Sequence, residues 1–130
     1  MLGGGKDPGG FALLDDLAER APEAASDKSR PWILIPNINP DGVAKRERVN
    51  ARGVDLNRNF PSPDWTPEIR APRYNPGPSP ASEPEVRALC DLFAAEKPQV
   101  IVHFHSWKPC VVYTGAGGRP WSDAFAEGTG

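Results

Sequence analysis

One run of polar side chains in this sequence has the composition of a binding or catalytic site. In Gly53-Val-Asp-Leu-Asn-Arg-Asn-Phe-Pro61, three Asx side chains alternate with two apolar residues and one arginine. A guanidinium binds a carboxylate through two parallel hydrogen bonds, and a neighbouring asparagine amide can both donate and accept hydrogen bonds. Arg58 with Asn57 is therefore a candidate clamp for a free carboxylate, and Arg48 is a candidate to stabilise an oxyanion. The alternative is a solvated loop.

A second candidate site lies in the segment VIVHFHSW at 100–107, which holds both histidines of the chain, His103 and His105. Residues two apart on a strand point to the same face, so a His-x-His pair on a strand can supply two metal ligands. Alternatively, one histidine packs or caps and the other alone reaches solvent, and we favour this simpler interpretation. His105 is then the better candidate ligand, because it stands at the end of the predicted strand.

A third pattern, Ser82-Glu-Pro-Glu85, admits two interpretations. Glu83 and Glu85 form a possible catalytic carboxylate pair. The Ser-x-x-Glu spacing also predicts a capping box, with Ser82 at the N-cap of a helix and Glu85 at its third position. We favour the structural interpretation for both glutamates.

The apolar pattern predicts the elements that position these side chains. Helical spacing predicts one helix over 11–20 and another that opens at Ser82 and ends near Lys97. Apolar runs at 32–35, 100–104 and 111–114 predict strands, the first two buried, and long loops fill 43–61 and 62–80. No element is predicted for the glycine-rich residues 115–130. The order favours an α/β fold, a mixed sheet flanked by helices, with the site in loops after the strands.

Length and composition limit the class of protein. The 130 residues suit one domain spanning 1–130, and the net charge of −2 suggests neither nucleic acid nor an anionic membrane as a partner. The sequence has no apolar run that is long enough for a bilayer and no signal-peptide layout at its start, so a cytoplasmic location is the default expectation. The oligomeric state does not follow from these patterns.

The motifs together resemble a known family. In chain order they are Asn39-Pro-Asp-Gly42, Arg48, the run 53–60, the run 77–85 (GPSPASEPE) and His105-Ser-Trp107. This pattern resembles the zinc carboxypeptidases of the M14 type, and within that family it is similar to bacterial murein peptide amidases. The resemblance is strongest over 32–114 and implies a partial zinc-carboxypeptidase-like fold, truncated at both ends.

The resemblance implies a role for each matching residue. His105 takes the place of a zinc ligand, and Arg48 that of the arginine which polarises the scissile carbonyl. Asn57 and Arg58 take the place of the pair that holds the terminal carboxylate. The implied reaction is zinc-dependent hydrolysis of an amide bond next to a free carboxylate in a peptide or muropeptide. His103 matches no role in the family.

The sequence departs from the family at the first two zinc ligands. The family takes them from a His-x-x-Glu motif, and the corresponding stretch here places Gly4 at the histidine and Asp7 at the glutamate. Glycine has no ligand atom, whereas aspartate binds zinc through oxygen. The family's catalytic glutamate would follow beyond Gly130. We therefore expect His105 and Asp7 to hold one zinc ion weakly and the chain to have little or no activity. The alternative is a pseudoenzyme that binds peptide carboxylates without cutting them.

Overall fold

The protein is described by a computed structural model that covers residue 19 and residues 32–105, 111–115 and 117–129. Over the last three ranges the α-helices are α1, Pro40–Lys45; α2, Leu56–Asn59; α3, Pro84–Glu96; and α4, Gly118–Thr129. A 3-10 turn, Pro72–Tyr74, lies between α2 and α3. The helix predicted over 11–20 lies outside the described residues, apart from residue 19, which is helical.

The predicted mixed sheet is wrong for the part of the chain that the structure describes, which contains helices and loops but no strand. The apolar runs at 32–35, 100–104 and 111–114 are all described, and none forms a ladder. Their side chains are largely exposed, as at Ile33, Val102 and Val112, which are 56%, 57% and 76% accessible. A strand exists only through hydrogen bonds to a neighbouring strand. The apolar composition of these runs predicted buried strands, but composition does not specify a neighbouring strand with which they could pair.

Helix α1 begins at Pro40 and runs into the stretch 43–61, which was predicted to be a loop. The Asn39 side chain caps it by accepting a hydrogen bond from the Gly42 amide at 3.0 Å, and Pro40 supplies the φ of the first turn. Gly42 leaves no room for a side chain, because a Cβ there would lie 2.8 Å from the Glu47 carbonyl oxygen. The helix ends at Arg46, which is left-handed with φ 57°.

A small apolar core joins α2 to α3. Leu56 of α2 and Val86 of α3 are 1% and 0% exposed and form its centre. Four half-buried apolar residues pack against this pair: Ile38, Phe60, Ala81 and Cys90. Burying a residue such as Leu56 or Val86 contributes about 1.5–3 kcal/mol each. So small a core leaves much of the local order to polar contacts.

Helix α3 confirms the predicted second helix, although its start differs from the prediction. The helix begins at Pro84, its N-cap is Glu83, and no side chain caps it. The Ser82 hydroxyl instead donates to the Glu83 carboxylate at 2.8 Å. The predicted capping box is therefore wrong. The helix ends as expected at Lys97, which is left-handed with φ 46°.

Helix α4 was not expected, because the sequence around it is rich in glycine. An ion pair between Arg119 and Asp123, with a 3.6 Å separation, lies one turn apart along its surface. The Phe125 ring contacts the Phe104 ring at 6.1 Å between centroids. None of the helices in the described residues combines the length and the apolar character that crossing a membrane needs.

The buried amide of Asn59 ties α2 to the loop before α3. Its nitrogen donates to the carbonyl oxygens of Pro76 at 2.7 Å and Ser79 at 3.0 Å, and its oxygen accepts from the Glu83 amide at 3.1 Å. Gly77 allows this close approach, since a Cβ there would lie 2.7 Å from the Asn59 nitrogen and its φ is 83°. The loop of 76–83 is thus wrapped around one side chain.

The buried carboxylate of Glu83 makes a second polar connection. It is 0% exposed and accepts a hydrogen bond from the Asn50 amide nitrogen at 2.8 Å. The Arg52 guanidinium lies 3.5 Å away on the solvent side. The Asn50 oxygen in turn accepts from the backbone amides of Arg52 and Val54 at 3.0 and 3.1 Å. This network fixes the loop before α2 against the start of α3 and gives Glu83 a structural contact other than the predicted capping box.

We expect Asn59→Ala to lower the free energy of unfolding by about 3 kcal/mol, because several buried polar groups lose their partner at once. Urea unfolding followed by circular dichroism measures this change. Asn57→Ala on the same helix is the matched control, and we expect it to shift stability by less than about 0.5 kcal/mol. Equal effects of the two substitutions would contradict the importance of the buried amide.

Candidate functional site

One buried carboxylate, that of Asp55, organises the candidate site. Its Oδ2 accepts a hydrogen bond from Nε of Arg48 at 2.7 Å, and its Oδ1 accepts from the backbone amide of Asn57 at 3.1 Å. The second bond makes Asp55 the N-cap of α2. Asp55 is 0% exposed and the Arg48 side chain is 18% exposed, so solvent weakly screens this pair. The same side chain thus positions Arg48 and the helix that carries Asn57 and Arg58.

Three guanidiniums surround the half-buried ring of Tyr74. Their Cζ atoms lie 5.2 Å (Arg48), 5.8 Å (Arg58) and 5.1 Å (Arg73) from the ring centroid. These distances are within the range of cation–π attraction. Within the described residues, Arg48 pairs with Asp55, whereas Arg58 and Arg73 have no acidic partner. The cluster therefore carries excess positive charge and favours an anionic ligand.

The backbone around Tyr74 is tied to the same loop that carries Asp55. The Tyr74 amide donates to the Ala71 carbonyl at 2.8 Å, which closes the 3-10 turn. The side chain of the next residue, Asn75, donates to the Gly53 carbonyl at 2.9 Å. The Asn75 carbonyl accepts from the Asp55 amide at 2.8 Å. The backbone at Tyr74 is therefore anchored to the residues that precede α2.

Asn57 and Arg58 present polar groups that the described residues leave available. The half-buried Asn57 side chain makes no hydrogen bond within that part of the chain. The exposed Arg58 guanidinium donates one long hydrogen bond of 3.5 Å, to the Asn57 carbonyl. Arg48 uses Nε for Asp55, so its two terminal amino groups remain available to a ligand. The residue types and their availability suit recognition of a carboxylate or another small anion.

His105 lies close enough to this cluster for the charges of Arg48 and Asp55 to affect its pKa. Partial desolvation lowers the pKa of its imidazole although the side chain keeps an exposed surface, and His103 and Arg48 lower that pKa further. Asp55 acts on the pKa in the opposite direction. Desolvation also lowers the pKa of His103, whose ring stacks on that of His105 with 6.2 Å between centroids. A lowered pKa favours the neutral form of both imidazoles, which is the form that binds metals.

A complete zinc site is not formed by the described residues alone. A catalytic zinc needs about three protein ligands. Over 32–105, 111–115 and 117–129, no group of three His, Cys, Asp or Glu side chains is placed to hold a metal ion. Asp7, the other predicted ligand, lies outside the described residues. The zinc-ligand roles of His105 and Asp7 accordingly stay predictions.

The structure brings the predicted Arg48 and Arg58 together on one aromatic ring, and it places His105 within the field of Arg48. Two residues of this cluster were missed. Asp55 had a readable signal, since an aspartate two residues before Asn57 suits an N-cap. Tyr74 had none, because it lies in an irregular proline-rich stretch and reaches the cluster only through folding.

Comparison with known proteins follows the same motifs. Murein peptide amidase A of Escherichia coli (strain K12) is 40% identical over 85 residues, which cover 57% of this chain and 35% of that protein. Murein peptide amidase A of Vibrio campbellii is 35% identical over 83 residues, covering 55% and 34%. Carboxypeptidase SOL1 of Arabidopsis thaliana is 57% identical over 28 residues, covering 22% and 6%. This chain thus spans about a third of the length of the two amidases. No solved structure gives a significant match.

A family model extends the match over most of the chain. The model of peptidase M14, described as zinc carboxypeptidase, matches residues 12–123. That range includes Arg48, the run 53–60, the start of α3 and His105, which are the residues that carried the predicted resemblance. The resemblance is therefore confirmed, and the chain belongs to the zinc carboxypeptidase family of hydrolases, peptidase M14.

Proposed function

We propose that this chain carries the carboxylate-binding part of a zinc-dependent carboxypeptidase or peptide amidase site. The reaction is hydrolysis of an amide bond adjacent to a free carboxylate, in a peptide or muropeptide. The observation that supports this proposal is the Asp55 carboxylate, which holds Arg48 at 2.7 Å and caps the helix bearing Asn57 and Arg58. The relatives named murein peptide amidase support the muropeptide as one substrate class. A cytoplasmic location stays a prediction.

Asn57 and Arg58 bind the terminal carboxylate of the peptide in this proposal. The guanidinium of Arg58 donates two parallel hydrogen bonds to the carboxylate oxygens, and the Asn57 amide donates a third. Both residues lie on α2, whose start is fixed by Asp55. Capture of the carboxylate places the adjacent amide bond at a defined distance from the remaining side chains.

Arg48 stabilises the negative charge that develops on the carbonyl oxygen. Its Nε is held by the buried Asp55, so its terminal amino groups are already oriented before a ligand binds. A donor that is oriented in advance needs little reorganisation as the oxyanion forms. His105 offers a neutral imidazole as a zinc ligand, and Asp7 is the second ligand in the proposal. Two ligands hold zinc weakly, so we expect weak or no hydrolysis by this chain.

A second candidate function is binding of peptide carboxylates without catalysis. The specific observation in its favour is that Arg48, Asp55 and the Asn57 amide hold one another through direct hydrogen bonds that involve no metal. A cluster assembled in this way binds an anion whether or not zinc is present. Metal-independent binding of a peptide carboxylate, without cleavage, distinguishes this function from the first.

We expect an N-acetylated dipeptide with a free carboxylate to bind, and its C-terminal amide to bind at least tenfold more weakly, about the effect of losing one charge-assisted hydrogen bond. Arg58→Ala removes the clamp and should abolish this preference. Isothermal titration calorimetry with and without zinc measures both affinities. Arg70→Ala is the matched control, since it removes an exposed arginine whose ion-pair partner among the described residues is Glu68. Equal binding of acid and amide by the unaltered chain would refute the carboxylate clamp.

We expect the chain to bind zinc weakly, and we expect His105→Ala but not His103→Ala to abolish zinc binding. Only His105 is a zinc ligand in the proposal, and His103, a second imidazole two residues away, is the matched control. Competition with a chromophoric chelator measures the zinc affinity. Loss of binding in His103→Ala alone would reverse the assignment, and rapid zinc-dependent cleavage of the free-acid peptide would contradict the expected weak activity.

We expect the pKa of His105, measured by NMR titration of its ring protons, to lie below its ordinary value and to rise in Arg48→Gln. Removing the guanidinium removes a charge that disfavours the imidazolium and leaves Asp55, which favours it. The pKa of His103 should change less, and Arg52→Gln is the control for a charge elsewhere. An unchanged His105 pKa in Arg48→Gln would show that the imidazole lies outside this site.

A further inference from the structure

The ring of Tyr74 is the contact that Arg48 and Arg58 share. Their Cζ atoms lie 5.2 and 5.8 Å from its centroid, and a third guanidinium, that of Arg73, lies at 5.1 Å. Three like charges repel one another, so they gather on one ring only if something offsets the repulsion. Asp55 does so for Arg48. For Arg58 the described residues provide the ring and one long hydrogen bond of 3.5 Å.

The backbone that carries the ring is better fixed than the Arg58 side chain that contacts the ring. Tyr74 closes a 3-10 turn, and the adjacent Asn75 is bonded to Gly53 and Asp55 through its side chain and carbonyl, at 2.9 and 2.8 Å. Arg58 by contrast is exposed and lies on a helix of four residues. A long side chain of this kind samples many rotamers unless a neighbour restricts it.

We propose that Tyr74 is a positioning residue of the carboxylate site, whose ring holds the guanidiniums of Arg58 and Arg48 toward a common ligand. The proposal rests on the proposed function for its ligand, but it assigns a role to a residue outside the zinc, carboxylate and oxyanion positions. The aromatic face attracts each cation, and the ring restricts the angles at which the terminal amino groups point. Because the attraction needs the face of the ring and not the hydroxyl, phenylalanine should replace tyrosine here.

The test compares Tyr74→Leu with Tyr74→Phe for binding of the N-acetylated dipeptide acid and its amide. We expect Tyr74→Leu to weaken acid binding by about 5-fold to 30-fold, the combined effect of two cation–π contacts, and to leave the weak amide binding unchanged. Tyr74→Phe should bind like the unaltered chain. If Tyr74→Phe binds the acid as weakly as Tyr74→Leu while circular dichroism shows an intact fold, the proposal is overturned.

A double-substitution cycle shows whether Tyr74 acts through Arg58. In the Arg58→Ala background, Tyr74→Leu should weaken acid binding by less than it does alone, since one of its two guanidinium contacts is already absent. Equal effects in both backgrounds would assign Tyr74 a general structural role and overturn the proposal.

A readout without ligand separates this proposal from the proposed function. In the unaltered chain, NMR should show contacts between the Tyr74 ring protons and the δ-methylene protons of Arg48 and Arg58. The ring-current shifts of those protons should disappear in Tyr74→Leu and persist in Tyr74→Phe. If the chain binds neither peptide while these signals are present, the carboxylate function fails and the placement by Tyr74 stands. If the signals are absent in the unaltered chain, the placement fails whatever the binding result.

Discussion

The buried pair of Asp55 and Arg48 is the interaction on which the candidate site depends. Asp55 is 0% exposed and uses one oxygen for the guanidinium and the other for the backbone amide that starts α2. Removing one partner of such a pair leaves an uncompensated buried charge, which lowers the free energy of unfolding by about 3–5 kcal/mol. Exchange of Asp55 for an apolar residue would also remove the helix cap, worth about 1 kcal/mol. The position of the Arg48 guanidinium and the formation of α2 therefore depend on the same carboxylate.

Polar contacts hold together much of the described part of the chain. Its buried apolar side chains are Val54, Leu56, Val86 and Leu89, and Asn59 and Glu83 are fully buried, with hydrogen bonds to their side chains. Satisfied polar networks fix one arrangement of the backbone, because each donor must meet a particular acceptor. That precision suits a site in which guanidinium and amide groups must keep fixed directions before a ligand arrives.

Family membership and site geometry support each other at different levels. The match over residues 12–123 shows that the chain belongs to the zinc carboxypeptidases, while the geometry shows a cluster of guanidiniums centred on Tyr74 and close to α2. The proposed metal-binding side rests on His105, whose pKa is lowered by desolvation and by the nearby His103 and Arg48. Of the residues proposed for the two sides, the described part of the chain brings together those of the carboxylate side.

The sequence by itself determined the family, the helix that ends at Lys97, and the polar residue types at Arg48, Asn57 and Arg58. These follow from local spacing, since motif order and helical periodicity are written along the chain. Only the tertiary structure decided that the runs at 32–35, 100–104 and 111–114 form no strand within the described residues, because strand pairing depends on partners distant in sequence. It likewise decided that Ser82 bonds to Glu83 instead of capping a helix, and that Tyr74 lies among three guanidiniums. Such contacts join residues from separate loops, and no local pattern encodes them.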